Sequence, residues 1–175
     1  MHLVSINPSS GKVLKTLPGW DERALEQCLQ RVARATPAWA AQPLAARAAL
    51  LRRAAALLHA RKDTLARLIT QEMGKRLAEA HAEIEKCAWG CEYYAEHGAR
   101  FLAAESISTE AAKSYVCYEP LGTVLAVMPW NFPFWQVFRC AVPALMAGNT
   151  VLLKHASNVP QCARAIEELR VRSII

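Results

Sequence analysis

The chain has no run approaching the roughly 20 apolar residues of a membrane-spanning helix. Its opening, MHLVSINPSSGK, lacks the apolar core of a secretory signal. A membrane or secreted protein is therefore not expected, and the six cysteines read as reduced thiols in the cytoplasm. Also missing are G-x-G-x-x-G and G-x-x-x-x-G-K-[ST], so neither standard phosphate loop can be invoked. C-x-x-C and H-x-x-x-H do not occur. Cys87 and Cys91 sit four apart on an expected helix, with His81 and His97 in reach, but nothing completes a metal site. Buried or idle thiols are the expectation, and no metal. Internal repeats and low-complexity tracts are absent too.

What is present suits a globular chain. Of 175 residues, 53% are hydrophobic, enough for a core that buries roughly 70% of the unfolded surface. Charged residues are 21%, so disorder is not the default. The net charge of +6 raises the question of nucleic acid. The positives, however, are spread: Arg23, Arg31, Arg34, Arg47, Arg52, Arg53, Arg61, Lys62, Arg67, Lys75 and Arg76 alternate with Ala and Leu. Glu72, Glu79, Glu83 and Glu85 lie among them. Solvated helix faces are expected, with no nucleic-acid partner.

Periodicity divides the chain. Residues 1–20 read as a β-hairpin, "LVSINP" and "KVLKTL" alternating around "SSG". Residues 21–98 read as four helices. Asp21 caps the first, which "TPAW" ends; Pro43 opens the second, with Leu44, Ala48, Leu51, Ala55 and Leu58 on one stripe. Asp63 caps the third, and Gly74 closes it in a left-handed turn. The fourth covers 76–98. Residues 99–120 connect, with "SYVCYEP" (114–120) as a strand. From 121 to 175 the pattern is strand 122–128, helix 133–147, strand 150–154 and helix 160–170, the alternation of a parallel βαβ sheet. "GTVLAVM" is apolar throughout, as in a strand covered on both faces.

In such a sheet, ligands bind at the carboxyl ends of the strands. "VMPWNFP" occupies that place. Pro129 and Pro133 stiffen the loop and aim Asn131. A fixed carboxamide N–H₂ can stabilise an oxygen that becomes negative in a transition state; it can equally cap its own loop or the next helix. Lys154, ending the second parallel strand, suits a ribose hydroxyl or phosphate, or is an ordinary strand-end lysine. Arg139, on the helix leaving the loop, could pair with a carboxylate substrate, or snorkel to solvent from a packed helix.

The series "YEPLGTVLAVMPWNFPFWQVFRCAVPALMAGNTVLLKHAS", with "ITQEMGK" (69–75) and "INPSSGKVL" (6–14), resembles the aldehyde dehydrogenase superfamily, and within it the succinate-semialdehyde dehydrogenases. The likeness runs to about residue 169. It implies an α/β fold: an aldehyde dehydrogenase-like N-terminal part, in which a helical segment leads into the first βαβ of an incomplete Rossmann-like parallel sheet. It implies oxidation of a small aldehyde with NAD or NADP. Asn131 then matches the oxyanion donor, and Val127, Met128, Pro129 and Trp130 match residues lining the cofactor. Lys154 matches the lysine on the adenosine ribose, and Arg139 an arginine that holds a substrate carboxylate. Where the family often reads K-P-x-E, this chain reads Lys154-His155-Ala156-Ser157. Ser157 lacks the carboxylate that would repel a 2′-phosphate, so NADP is admitted beside NAD, and His155 replaces a proline in the adenosine cradle.

The resemblance also implies a longer protein. The family's nucleophilic cysteine, general-base glutamate and glycine motif lie beyond Ile175, and "IEELRVRSII" departs from the family pattern. A frameshift or premature stop is expected, and with it a chain inactive by itself. The alternative is a non-catalytic nucleotide-binding or interaction module, or a fragment without function. The family is homo-oligomeric; this chain, with sheet edges left bare, is expected to self-associate or aggregate.

Overall fold

A computed structural model describes residues 2–169. The hairpin forms as expected: β1 (His2–Ile6) pairs antiparallel with β2 (Val13–Pro18), with a bulge between Ser5 and Ile6. The turn is closed by Asn7, whose side chain accepts from Ser9 N at 2.9 Å.

Four helices follow. Asp21 caps α1 (Glu22–Ala40), accepting from Ala24 N at 2.7 Å. The helix does not end at "TPAW"; it runs through Pro37 to Ala40. A mid-helix proline costs about 3 kcal/mol, and tertiary packing offsets it here. Trp39 in the last turn is buried, and its Nε1–H donates to Leu145 O at 3.2 Å. In α2 (Leu44–Ala60), Ala48, Leu51, Ala55 and Leu58 are buried, as the stripe requires. Asp63 does not cap α3 (Lys62–Met73): Arg61 is the N-cap and the helix begins at Lys62, leaving Asp63 in the first turn, where its charge still complements the helix dipole. Gly74 closes α3 at φ +80, the expected left-handed cap. The fourth helix, α4 (Leu77–Phe101), passes Gly98 by one turn. Gly98 is there for closeness, since a Cβ would overlap the side chain of buried Met146.

The 114–120 strand shrinks to β4 (Tyr115–Val116), paired with β3 (Glu105–Ser106). No layer covers it: Tyr115, Val116 and Tyr118 are all exposed. Then β5 (Thr123–Met128), α5 (Trp135–Met146) and β6 (Thr150–His155) form a parallel crossover, followed by α6 (Pro160–Glu168). Arg170, the expected end of that helix, lies outside the described residues. Gly148 turns the chain at φ +95 between α5 and β6. Asn149 ties the turn down, its Oδ1 accepting from Gly122 N at 3.0 Å and its Nδ2 donating to Ala144 O at 3.2 Å.

One expectation for β5 fails. The strand is not covered on both faces: Ala126 is buried, while Leu125 and Val127 are each 62% exposed. Helix α1 meets this face only at the strands' entry end, where Thr36 Oγ1 lies 3.0 Å from Thr123 Oγ1 and 2.7 Å from Thr150 Oγ1. The reading of charges as solvated holds for Arg23, Arg31, Arg34, Arg52, Arg53, Arg67, Arg76, Glu79 and Glu85, and fails at three residues. Arg47, Glu72 and Glu83 are buried, at 8%, 2% and 3% exposure, not on solvated faces. One hydrophobic cluster runs from Trp39 and α2 through α3 and α4 into α5 and α6. Among the described residues no helix is long and apolar enough to cross a membrane.

Candidate functional site

The parallel register sets the site. Val127 stands opposite Lys154, and Met128 opposite His155, so candidate residues from two segments meet at the carboxyl ends of β5 and β6. From there the chain leaves through Pro129, Trp130, Asn131 and Phe132, all exposed. The Asn131 carboxamide has no hydrogen-bond partner among the described residues, so it does not cap its loop or α5. Lys154, Ser157 and Arg139 are exposed too, and neither cation has a carboxylate partner among the described residues. Arg139 sits on α5, one turn past Trp135, and α4 packs along α5.

His155 is placed differently from Lys154 and Ser157. Its Nδ1 accepts from Ala156 N at 2.8 Å, and its Nε2 lies 2.8 Å from Pro133 O. An acceptor at Nδ1 puts the ring proton on Nε2, which donates to that carbonyl. Both nitrogens are thus spent inside the protein, and the ring joins the end of β6 to the loop. Burial lowers the imidazole pKa, against the opposing pull of the Pro133 carbonyl, so the neutral form is favoured.

The residues that sequence reasoning missed are two buried carboxylates. Neither α5 nor α6 has a capping side chain: Phe134 and Val159 stand at their N-cap positions. The first amides of each helix still need acceptors. Glu83, from α4, supplies one: its Oε1 accepts from Phe134 N at 2.9 Å and Trp135 N at 3.0 Å. Its other oxygen is paired with Lys75 Nζ. The same ammonium lies 3.6 Å from the Phe132 ring centroid, a cation–π contact. Glu72, from α3, does the equivalent for α6. It accepts from Gln161 N at 2.9 Å, Cys162 N at 2.7 Å and Ser5 Oγ at 2.7 Å. Pro160, at the first turn of α6, has no N–H to satisfy. Sequence carried no distinguishing signal, since α2, α3 and α4 also start without Ser, Thr, Asp or Asn at the N-cap.

The buried thiols are poor candidates for a nucleophile. Cys87, Cys91 and Cys162 are buried. Burial raises all three, helped by the Glu83 charge at Cys87, the Glu92 charge at Cys91 and the Glu72 charge at Cys162; Cys91 is pushed up to about 12. No group of three or more metal-ligating side chains occurs among the described residues.

The donor set fits a nucleotide in part. An unpaired ammonium at Lys154 and a free hydroxyl at Ser157 face solvent at the strand ends, and no acidic residue lies between Lys154 and Gln161. His155 has no free ring nitrogen to offer a ligand. The amides of Gln161 and Cys162 at the start of α6 are likewise closed to a phosphate by Glu72.

The profile of the aldehyde dehydrogenase family matches residues 1–172. A probable succinate-semialdehyde dehydrogenase [NADP(+)] of Synechocystis is 48% identical over 169 residues, 97% of this chain and 37% of the relative. The succinate semialdehyde dehydrogenase [NAD(P)+] Sad of Escherichia coli is 45% identical over 168 residues, 96% of this chain and 36% of that one. Among solved structures, the succinic semialdehyde dehydrogenase of Streptococcus pyogenes in complex with NADP+ superposes with a TM-score of 0.91 at 34% identity, over 95% of this chain and 37% of that chain. The chain thus spans little more than a third of the length of these relatives.

Proposed function

The chain belongs to the aldehyde dehydrogenase family, and from that premise we propose that it supplies the oxyanion donor and part of the cofactor cradle for oxidation of succinate semialdehyde to succinate. The observation that carries this reading is the free Asn131 carboxamide at the carboxyl end of β5, on a loop whose following residues, 132 to 135, are held. Asn131 Nδ2–H donates to the aldehyde oxygen as that oxygen becomes negative. Arg139 holds the substrate's far carboxylate in a charged hydrogen bond. Val127, Met128, Pro129 and Trp130 line the cofactor, and Lys154 and Ser157 hold its adenosine ribose. With a cation and a hydroxyl there in place of an acid, the site takes NADP with its 2′-phosphate as well as NAD. When bound, the nicotinamide accepts the hydride. We place the start of the dinucleotide-binding unit at residue 121 and the protein in the cytoplasm.

The covalent step needs a thiolate; burial holds the thiols of Cys87, Cys91 and Cys162 away from that state, and we assign the nucleophile to none of the six cysteines. The chain alone is therefore expected to be inactive. The test fuses residues 1–169 to the remaining part of the Synechocystis relative and follows NADP+ reduction with succinate semialdehyde. The fusion should turn over and the isolated chain should not. Asn131→Ala should lower kcat by about 100-fold or more. Arg139→Leu should lose roughly tenfold to a hundredfold on succinate semialdehyde and far less on butanal. Unchanged kcat in Asn131→Ala, or equal losses on both aldehydes in Arg139→Leu, refutes the assigned roles.

A further inference from the structure

We propose that Lys75, Glu83 and His155 are positioning residues for Asn131, clamping the loop 129–134 from its two sides; the inference rests on reading Asn131 as the oxyanion donor. The loop does not hold itself. Its prolines restrict φ, but Asn131 has no partner among the described residues, and α5 has no cap of its own. Its direction is therefore set by what grips the residues that follow. From the helical side, Glu83 Oε1 takes the amides of Phe134 and Trp135, at 2.9 and 3.0 Å. Lys75 neutralises the second carboxylate oxygen and packs its ammonium on Phe132, the residue adjoining Asn131. From the sheet side, His155 Nε2–H donates to Pro133 O at 2.8 Å, in a tautomer that Ala156 N fixes. Residues 132 to 135 thus each hold a contact outside the loop, and the next side chain back, Asn131, is left free to face a substrate. Glu83 is 3% exposed, so water does not dilute its charge on those amides.

The test is hydrogen–deuterium exchange of the 175-residue chain, read by mass spectrometry. Peptides covering 129–138 are compared with peptides from α2 and α3. Lys75→Met and His155→Leu should each speed exchange of the Phe134 and Trp135 amides by about tenfold or more, the loss of one charge-assisted or buried hydrogen bond. The α2 peptides should keep the parent rate. His155→Gln retains an N–H donor at the ε position and should restore the parent pattern, which a merely space-filling role would not. Uniform acceleration in all peptides, or none in 129–138, overturns the proposal. Should Lys75→Met unfold the chain, the His155 pair decides: Gln behaving like Leu overturns it. Asn131→Ala should leave exchange unchanged. The oxyanion reading is tested separately by turnover of the fusion, so either idea can fail while the other stands.

Discussion

Glu72 and Glu79 look alike in the sequence, two glutamates on successive amphipathic helices, and the structure separates them. Glu79 is exposed and paired with Arg76. Glu72 is 2% exposed and accepts from Ser5 Oγ, Gln161 N and Cys162 N. Replacing Glu72 by Leu keeps the volume close to native and removes all three acceptor contacts. A hydrogen bond to a charged group contributes about 1.5–3 kcal/mol, so three amount to roughly 5–9 kcal/mol taken singly. Two effects reduce that. Ser5 Oγ still accepts from Gln161 Nε2 at 3.0 Å, and leucine abolishes the cost of burying a carboxylate. We expect about 3–4 kcal/mol of destabilisation. For a chain of this size each kcal/mol moves Tm by roughly 2–4 °C, so the melt should fall by roughly 6–16 °C. Glu72→Gln keeps one acceptor oxygen and should lose about half as much. The assay is loss of helical circular dichroism on heating, with Glu79→Leu as the control that leaves Tm near the parent's. If Glu72→Leu and Glu79→Leu melt together, the buried carboxylate is not capping α6.

Because the folded pKa of His155 is lowered by burial, folding favours its neutral form. Its contribution is complete above the ordinary imidazole value of 6.5 and is lost as pH falls from there towards the folded pKa; a pH series of melts should show this slope, and His155→Gln should remove it. Iodoacetamide at pH 8 should modify exposed Cys117 in the native chain and leave Cys87, Cys91 and Cys162 untouched until denaturant is added, as alkylated-peptide mass spectrometry would reveal; fast labelling of Cys162 would contradict its buried, raised thiol. The open face of β5 should make the chain self-associate, and Leu125→Thr with Val127→Thr should shift light scattering towards monomer.

Much of the fold was legible because its signals are local. The hairpin alternation, the αL cap at Gly74, the apolar stripe of α2 and the βαβ spacing after residue 121 each rest on neighbours within a turn or two. So does the position of Asn131, fixed by two prolines after an apolar strand. Pro37 misled because Trp39 reaches Leu145, far along the chain. Asp63 misled by two residues, since Arg61 is the N-cap and Lys62 already begins the helix. Glu72 and Glu83 were illegible for the same reason that they matter: their partners lie 89–90 and 51–52 positions away. An acid on a helix shows no sign in sequence that a distant helix end needs it.

Those two carboxylates also bear on how the chain divides. Read by periodicity, residues 21–98 and 121–175 look separable, one helical and one α/β. Yet the βαβα half starts both of its helices without a capping side chain, and the helical half buries two anions that would each be costly alone. Each deficit meets the other. The N-terminus of α5 gives Glu83 two amides, and that of α6 gives Glu72 two more. The hydrophobic cluster crosses the same boundary without a break. Cutting between α4 and β5 would therefore leave uncapped helix ends on one side and carboxylates without their amide donors on the other. The loop carrying Asn131 stands at that junction, so the orientation of its carboxamide depends on the two halves staying docked.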